Sequence, residues 1–368
     1  MLDLKEILSL MKNPDSADEA LIDQALIFAT RVHEGQTRYS GEPYIIHPFT
    51  VAKTLAEMGA DVETISAGLL HDTVEDHPDC QEKLLQEFGP TIAFLVEGVT
   101  KLGKLKYQGD TRHVESLRKL FVAMAEDLRV ILIRLADRLH NIQTLKFVPK
   151  EKQQRIAIET LEIYAPLANR LGMWKIKGIL EDASFPYAYP KEYKQVVALR
   201  KSKGKELIKK LEKVYRTLSQ ELAQQGLKDF EIDYRIKYLY SLYQKLKRHH
   251  MDINEIYDLS ALRVVVNSIP ECYQVLGIIH NSWLPINDRW KDYIAHPKPN
   301  GYRSIHTAVF TGESNIIEIQ IRTREMHHDA EYGIASHLIY DENGKPQVGG
   351  MMTKNLIWLQ ELIEWQKH

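Results

Sequence analysis

The stretch Leu128-Arg-Val-Ile-Leu-Ile-Arg-Leu-Ala-Asp-Arg-Leu-His-Asn-Ile-Gln-Thr144 carries two stripes at once. Leu128, Ile131, Leu132, Leu135, Leu139 and Ile142 recur at spacings of three and four, which predicts an amphipathic helix with one buried face. Arg134, Asp137, Asn141 and Thr144 form a second row on another side. A polar row without lysine or glutamate is not an ordinary solvated surface. It reads as the wall of a binding cleft.

The helical period extends outward from this segment. Ile22, Ala25, Ala29 and Val32 repeat it, as do Val51, Leu55 and Met58 behind Pro48, which suits a first helical turn. Val62, Ile65 and Leu69 begin another helix. Beyond about Gln225 the period changes. Ile317, Ile319 and Ile321 alternate with Glu318, Gln320 and Arg322, which predicts a half-buried strand. Ala261 to Val266 and Ser304 to Phe310 read as further strands, with a helix over Tyr273 to Leu284 between them. The fold class expected is therefore multidomain: an all-α domain followed by an α/β (α+β) domain. The expected boundaries are residues 1–150, a helical connecting region 151–225, residues 226–345 and a C-terminal helical segment 346–368. The lysine-rich stretch from Arg200 to Gln225 reads as a solvated helix face.

Bulk properties narrow the function. No apolar run approaches the roughly 20 residues that span a bilayer, and Met1 to Lys12 does not read as a secretory leader. Cys80 and Cys272 are far apart and in no metal-type spacing, so a disulfide framework or thiolate zinc site is not expected and a reducing cytoplasm fits. The formal net charge is −2, without the basic excess of a protein that tracks a nucleic acid polymer. A phosphate-rich ligand must then meet local basic clusters, which favours a small nucleotide.

The first chemical constellation is His71-Asp72-Thr-Val-Glu75-Asp76. If it continues a helix, His71, Asp72 and Glu75 project from neighbouring positions. His47 stands upstream before Pro48, and Asp137 lies on the polar row downstream. Two histidines and two aspartates make a nitrogen and oxygen ligand set suited to Mn2+, Fe2+ or Zn2+. Such a cation acidifies a water and polarises a phosphoryl oxygen, and Glu75 or Asp76 can take or relay a proton. A lone His-Asp pair would say nothing, since a single buried histidine is more often structural; the longer pattern favours a metal-dependent phosphohydrolase.

The second constellation is Lys291-Asp-Tyr-Ile-Ala-His-Pro-Lys-Pro-Asn-Gly-Tyr-Arg-Ser-Ile-His306. Lys291, Lys298 and His306 suit phosphates, Gly301 permits a tight turn, and Tyr302 offers a ring for a base. Asp258 and Glu318 can share Mg2+ if their strands are neighbours. No GxxxxGK[ST] loop is present, so this is not a P-loop enzyme. Read alone, alternating charge on a strand is equally an ordinary solvated face.

These motifs together resemble the RelA/SpoT homologue family over about residues 3–340. His33-Glu-Gly-Gln-Thr-Arg-Tyr-Ser-Gly-Glu-Pro-Tyr44, His71 to Asp76 and Arg134 to Asn141 are similar to its hydrolase domain, of the HD phosphohydrolase superfamily. The resemblance implies manganese (Mn2+) on His47, His71, Asp72 and Asp137. It implies that Glu75 and Asp76 serve the attacking water, and that Arg38, Ser40, Asn141 and Thr144 contact the nucleotide. The reaction implied is removal of the 3′-pyrophosphate from ppGpp or pppGpp, giving GDP or GTP. Asp258 to Arg263, Asn300 to Thr307, Glu318 to Thr323 and Ala330 to Gly333 resemble the family's synthetase domain, of nucleotidyltransferase-like fold. That domain moves pyrophosphate from ATP to the 3′-hydroxyl of GDP or GTP. The match implies Mg2+ on Asp258 and Glu318, with Glu318 also helping to deprotonate the hydroxyl. Tyr302 would stack on guanine, Lys298, Asn300 and His306 would surround the acceptor, and Arg235, Lys237 and Arg263 would hold ATP. Arg289, Lys291 and Gln320 complete the expected binding set, Arg289-Trp-Lys-Asp292 being the basic loop form that goes with members carrying both activities. The sequence departs from the family pattern at Tyr39, Tyr234 and Ile236. Longer relatives continue into C-terminal regulatory domains that read the ribosome or other partners; against that resemblance, a chain ending at His368 is expected to be either a catalytic fragment or an unusually short member. Nothing in the sequence indicates an oligomeric state.

Three other readings compete. The first is a ppGpp hydrolase whose degenerate synthetase domain only regulates, supported by Tyr234. The second is a ribosome-associated adaptor with vestigial sites, which the complete metal set disfavours. The third is a nucleic acid phosphodiesterase, which the charge and the second domain disfavour.

Overall fold

A computed structural model describes residues 2–103, 127–253, 256, 260–287, 289–312, 316–333, 335, 339–340 and 346–347. The chain divides into two compact units, Met1–Ala168 with Ile334–His368, and Asn169–Gly333.

The first unit is helical. After α1 (Lys5–Leu8), α2 (Ser16–Val32) opens on a capping box: Asp15 accepts from the backbone of Ala17 and Asp18, and Asp18 accepts from that of Asp15. Then come α3 (Ile46–Glu57), α4 (Val62–Leu70), α5 (Thr73–Asp76), α6 (Cys80–Gly103), α7 (Leu128–Gln143) and α8 (Lys150–Glu159). Every residue of α4 from Thr64 to Leu70 is buried. A helix buried all round belongs in the middle of a bundle, and α2, α3 and α6 pack around it. The α7 helix lies against α3 and α6 with Ile131, Leu132, Leu135 and Ile142 buried, the face its spacing predicts. Pro48 sits in the first turn of α3, as expected, and puts His47 there too.

One expectation changes. His71 to Asp76 is not a continuous helix, because α4 ends at Leu70 and α5 resumes at Thr73. The reason is local: His71 Nδ1 donates to the Gly68 carbonyl at 2.8 Å and Thr73 Oγ1 to that of Leu70 at 2.6 Å. Side-chain donors thus take carbonyls that the helix would have satisfied by continuing.

The second unit holds a five-stranded mixed sheet in the order β1-β2-β5-β4-β3. In chain order it runs α9 (Trp174–Ala188), α10 (Pro190–Gln224), β1 (Glu231–Ile236), α11 (Leu239–Arg248), β2 (Ser260–Val266), α12 (Ile269–Ser282), β3 (Lys291–Asp292), β4 (Ile305–Phe310), β5 (Ile316–Thr323) and α13 (Arg324–Tyr332). β2 and β5 are parallel, with Ala261 opposite Glu318 and Arg263 opposite Gln320; the other pairs are antiparallel. Leu262, Val264, Ile317, Ile319 and Ile321 fill one face with Leu218 and Leu222 of α10 and Val275 and Ile279 of α12. The strand period of two therefore sends Arg263, Glu318, Gln320 and Arg322 to the opposite face. The lysine-rich stretch lies within one α-helix, α10, as its reading as a helix face expects, but that helix is not solvated all round: Leu211, Val214, Leu218 and Leu222 are core residues.

Of the segment expected to be helical, 346–368, only Pro346 and Gln347 are described. They pair with Tyr340 and Ile339 in a short two-stranded ribbon. Proline has no N–H to donate and is tolerated at the first residue of a strand.

Candidate active sites

In the first unit, α3, α4 and α7 bring four side chains from three distant parts of the sequence to one buried point. His47 Nε2 lies 3.4 Å from Asp72 Oδ2 and 3.3 Å from Asp137 Oδ1; His71 Nε2 lies 3.1 Å from Asp72 Oδ1 and 4.0 Å from Asp137 Oδ1. His47, His71 and Asp137 each offer a ligand atom within 4.8 Å of the others. The His71 Nε2 atom is buried without a completed hydrogen bond, and its other nitrogen is committed to Gly68. A buried imidazole nitrogen facing two carboxylates fits a divalent cation, which would take the place of its proton.

The electrostatics agree. Burial alone would depress the His71 imidazole, but the Asp72 charge reverses this and lifts it to about 9. Burial would likewise raise Asp72 and Asp137; the His71 imidazole beside the first and the Arg134 guanidinium beside the second hold both well below the usual carboxylate range. The site is built for concentrated positive charge.

Side chains around the four fix their aim. Tyr44 donates to Asp72 Oδ2 at 2.8 Å and Arg134 to Asp137 Oδ2 at 2.6 Å. Asn141 donates to Asp137 Oδ1, and Arg38 donates to Asn141 Oδ1 at 2.6 Å. Arg38 is presented by a tight loop in which its N–H bonds the Glu42 carbonyl and Tyr44 N–H that of Gln36. Ser40 and Thr144 are engaged locally, Ser40 donating to Glu42 and Thr144 to the His140 carbonyl. Glu75 is exposed on α5; the Asp76 side chain lies outside the described residues. Tyr44 and His140 belong to this network although the sequence pattern assigned them no role. Their signal is adjacency: Tyr44 closes the Arg38 loop, and His140 is one helical turn beyond Asp137.

In the second unit a cavity of about 840 Å³ opens on the polar face of the sheet. Its described lining carries ten lysines and arginines, among them Arg235, Lys237, Arg263, Lys291 and Lys298, against Glu181, Glu318 and Glu331. This local excess, in a chain of net charge −2, is the basic cluster the composition required. Lys245 and Arg248 of α11 join the lining, and sequence reasoning missed them because α11 carries no distinctive motif; Arg322, already read on the β5 row with Glu318 and Gln320, joins it as well.

A hydrogen-bonded chain runs through the site. Arg322 donates to the Tyr302 hydroxyl at 3.0 Å. The Tyr302 hydroxyl is 2.8 Å from His306 Nε2, and His306 Nδ1 is 3.1 Å from Glu318 Oε1. Gln320 donates to Glu318 Oε1 at 2.8 Å and accepts from Arg322 at 2.9 Å. Burial depresses the His306 imidazole despite Glu318. The Glu318, Gln320 and Arg322 face is thus no solvated edge, since Gln320 is fully buried and Arg322 nearly so. Gly301, with φ of 77°, makes the tight turn that returns its N–H to the Lys298 carbonyl. Tyr302 is also buried, flanked by Lys298 Nζ at 5.0 Å and Arg322 Cζ at 5.3 Å from its ring centre. Arg263 is paired with Asp233 at 2.7 Å. Asn300 donates to the Asn169 carbonyl at 3.3 Å, and Arg289 is exposed outside the cavity lining. Tyr234 stacks on Tyr215, 5.5 Å between centres, while Arg235 and Lys237 still reach the cavity. Asp258 lies outside the described residues; β2, which begins at Ser260, pairs in parallel with the strand that bears Glu318.

Residues 25–174 match the HD domain family, and residues 234–345 match the region found in RelA/SpoT proteins. A guanosine-3′,5′-bis(diphosphate) 3′-pyrophosphohydrolase of Aquifex aeolicus is 48% identical over 363 residues, covering 98% of this chain and 51% of the relative. A GTP pyrophosphokinase of Myxococcus xanthus is 45% identical, covering 96% and 47%. The bifunctional (p)ppGpp synthase/hydrolase SpoT of Escherichia coli is 44% identical, covering 94% and 49%. The chain spans about half the length of these curated relatives.

Proposed function

This chain belongs to the RelA/SpoT homologue family, and from that premise we propose that it both hydrolyses and makes the guanosine alarmones ppGpp and pppGpp. The observation that carries the hydrolase is the convergence of His47, His71, Asp72 and Asp137, with the buried His71 Nε2 atom 3.1 Å from Asp72 Oδ1 and 4.0 Å from Asp137 Oδ1. Those four residues would hold a divalent cation, assigned as Mn2+, which when bound would acidify a water and polarise a phosphoryl oxygen. Glu75 or Asp76 takes the water proton, the other being placed to relay it. Arg38 and Asn141, with Ser40 and Thr144 beside them, bind the nucleotide. Water displaces the 3′-pyrophosphate, so ppGpp yields GDP and pyrophosphate.

Synthesis uses the cavity of the second unit. Its cationic lining suits the clustered phosphates of two nucleotides. Arg235, Lys237 and Arg263 hold ATP, while Lys291, Lys298, Asn300, Tyr302 and His306 hold GDP or GTP, with Gln320 orienting Glu318 and Arg289 at the rim. Glu318 accepts the 3′-hydroxyl proton as the oxygen attacks the β-phosphorus of ATP, and the α–β bridge breaks to release AMP. Asp258 and Glu318 would hold Mg2+, which when bound would offset the phosphate charge. Tyr234 and Ile236 do not displace the Arg235 and Lys237 side chains from the cavity, which favours an active synthetase over a degenerate regulatory one. The boundaries proposed for the activities are residues 1–150 and 226–345. No helix among the described residues is long and apolar enough to cross a membrane, and a cytoplasmic enzyme is the location proposed.

The test is direct: the purified chain is given ppGpp with Mn2+, and separately ATP and GDP with Mg2+. GDP and pyrophosphate in the first reaction, and AMP with ppGpp in the second, are expected. Asp72→Asn should abolish only the first. A chain that leaves ppGpp intact with Mn2+ sinks the hydrolase assignment; one that releases no AMP sinks the synthetase.

A further inference from the structure

We infer that His140 is a positioning residue that fixes the tautomer and aim of the metal ligand His47. The inference rests on the metal-centre reading above and adds a role to a residue outside the ligand set. His47 is buried, and its Nε2 faces Asp72 and Asp137. Its other nitrogen, Nδ1, lies 2.7 Å from Nδ1 of His140, with the two ring planes within 23° of each other. Two ring nitrogens at that distance share one proton, and the question is which ring owns it.

Arg38 answers it. Its Nη1 lies 3.1 Å from the same His140 Nδ1. A guanidinium has donors and no acceptor, so His140 Nδ1 presents a lone pair and must accept. The shared proton therefore belongs to His47, whose Nδ1 donates to His140. The Nε2 of His47 is left bare and pointed at the two carboxylates, the state a metal ligand needs. His71 reaches the same state by another route, donating its Nδ1 proton to the Gly68 carbonyl. A metal-bound histidine ordinarily donates its distal N–H to an oxygen; His47 instead uses the ring nitrogen of a second histidine, itself held in its accepting state by Arg38. The bland alternative is that His140 merely fills space on α7 one turn beyond Asp137. That role needs bulk and no acceptor.

The two roles separate in one experiment on the full chain without nucleotide. Mn2+ binding is titrated by calorimetry, or by the paramagnetic resonance signal of free Mn2+, for the parent, His140→Leu and His140→Asn. Leucine keeps bulk and cannot accept; the asparagine Oδ1 can stand near the lost Nδ1 and accept from His47. Mn2+ affinity should fall on the order of 10- to 100-fold in His140→Leu and be largely restored in His140→Asn. The hydrolysis lost in the leucine variant should return as Mn2+ is raised. Thermal unfolding of the metal-free proteins reports whether each variant folds. Parent-like Mn2+ affinity in a folded His140→Leu overturns the inference, as does equal weakening in both variants. A parent that binds no Mn2+ overturns the metal-centre reading itself.

Discussion

Replacing Gly178 with alanine should damage synthesis far more than stability. Gly178 lies inside α9, where glycine costs roughly 1 kcal/mol relative to alanine, so on helix grounds alone the change would stabilise. The obstacle is Tyr238: a Cβ on residue 178 would stand 2.1 Å from its Cε2 and 2.3 Å from its Cζ. Carbon atoms settle at about 3.5 to 4.0 Å, so the ring must retreat by roughly 1.4 Å or more. It cannot do so alone. Tyr238 lines the cavity and stands just before α11, whose first N–H groups, from Leu239 and Tyr240, donate to Asp182 of α9 at 3.0 and 2.9 Å. Displacing the ring therefore pushes on the backbone that leads back to Lys237 and Arg235. Overpacking of this kind costs about 1–3 kcal/mol. Less the helix gain, the net loss of stability is about 0–2 kcal/mol. A misplacement near 1 Å can cost on the order of 100-fold in rate. The assay follows AMP release from ATP and GDP beside thermal unfolding. Pyrophosphate transfer should drop at least about tenfold, with ppGpp hydrolysis unchanged and a small shift in Tm. In a Tyr238→Ala background the same substitution should be neutral or slightly stabilising. Unchanged transfer in a Gly178→Ala protein of equal or greater stability would refute the close-approach argument.

Further outcomes are expected. Glu318→Gln should stop AMP release while leaving Mn2+-dependent ppGpp hydrolysis at the parent rate; synthesis at the parent rate would reduce Glu318 to a partner of His306. Mn2+ at 100 times its dissociation constant should stabilise the protein by about 2.7 kcal/mol, seen as a higher Tm that a chelator reverses. Asp72→Asn should lose that shift, and an equal shift in both proteins would place the ion elsewhere. Burial, then Glu271 and Asp292, push the Cys272 thiol up to about 12 from its ordinary 9.0. The folded state thus holds the thiol proton more tightly than the unfolded chain does. No pH-dependent loss arises from it below about pH 9, and stability should fall as pH rises from there towards 12. At pH 8 Cys272 should react with a thiol reagent only as fast as the protein opens; immediate labelling of native protein would contradict its burial.

Much of the molecule was legible without coordinates, for identifiable reasons. Periodicity is a local property, so the buried faces of α2, α4 and α7 and the alternating face of β5 follow from side-chain spacing alone. The candidate metal cluster was legible because its motifs are dense: His71 and Asp72 are adjacent, and Asp137 stands on a polar row without lysine or glutamate. Length and charge also required a local basic cluster for any phosphate-rich ligand. Tertiary structure decided what depends on approach between distant segments. It ended α4 at Leu70, because two side chains took the carbonyls that a continuing helix needs. It turned the Glu318, Gln320 and Arg322 row from a plausible solvent edge into the floor of a walled cavity, since α9, α11 and α13 supply groups around it from far along the chain. It also brought Arg38 and His47 to His140, and Tyr238 onto Gly178. Those partners lie tens of residues or more apart, and no spacing rule sees them. A proton between two histidines belongs to one of them only once a third group, fixed in space, can give but cannot take.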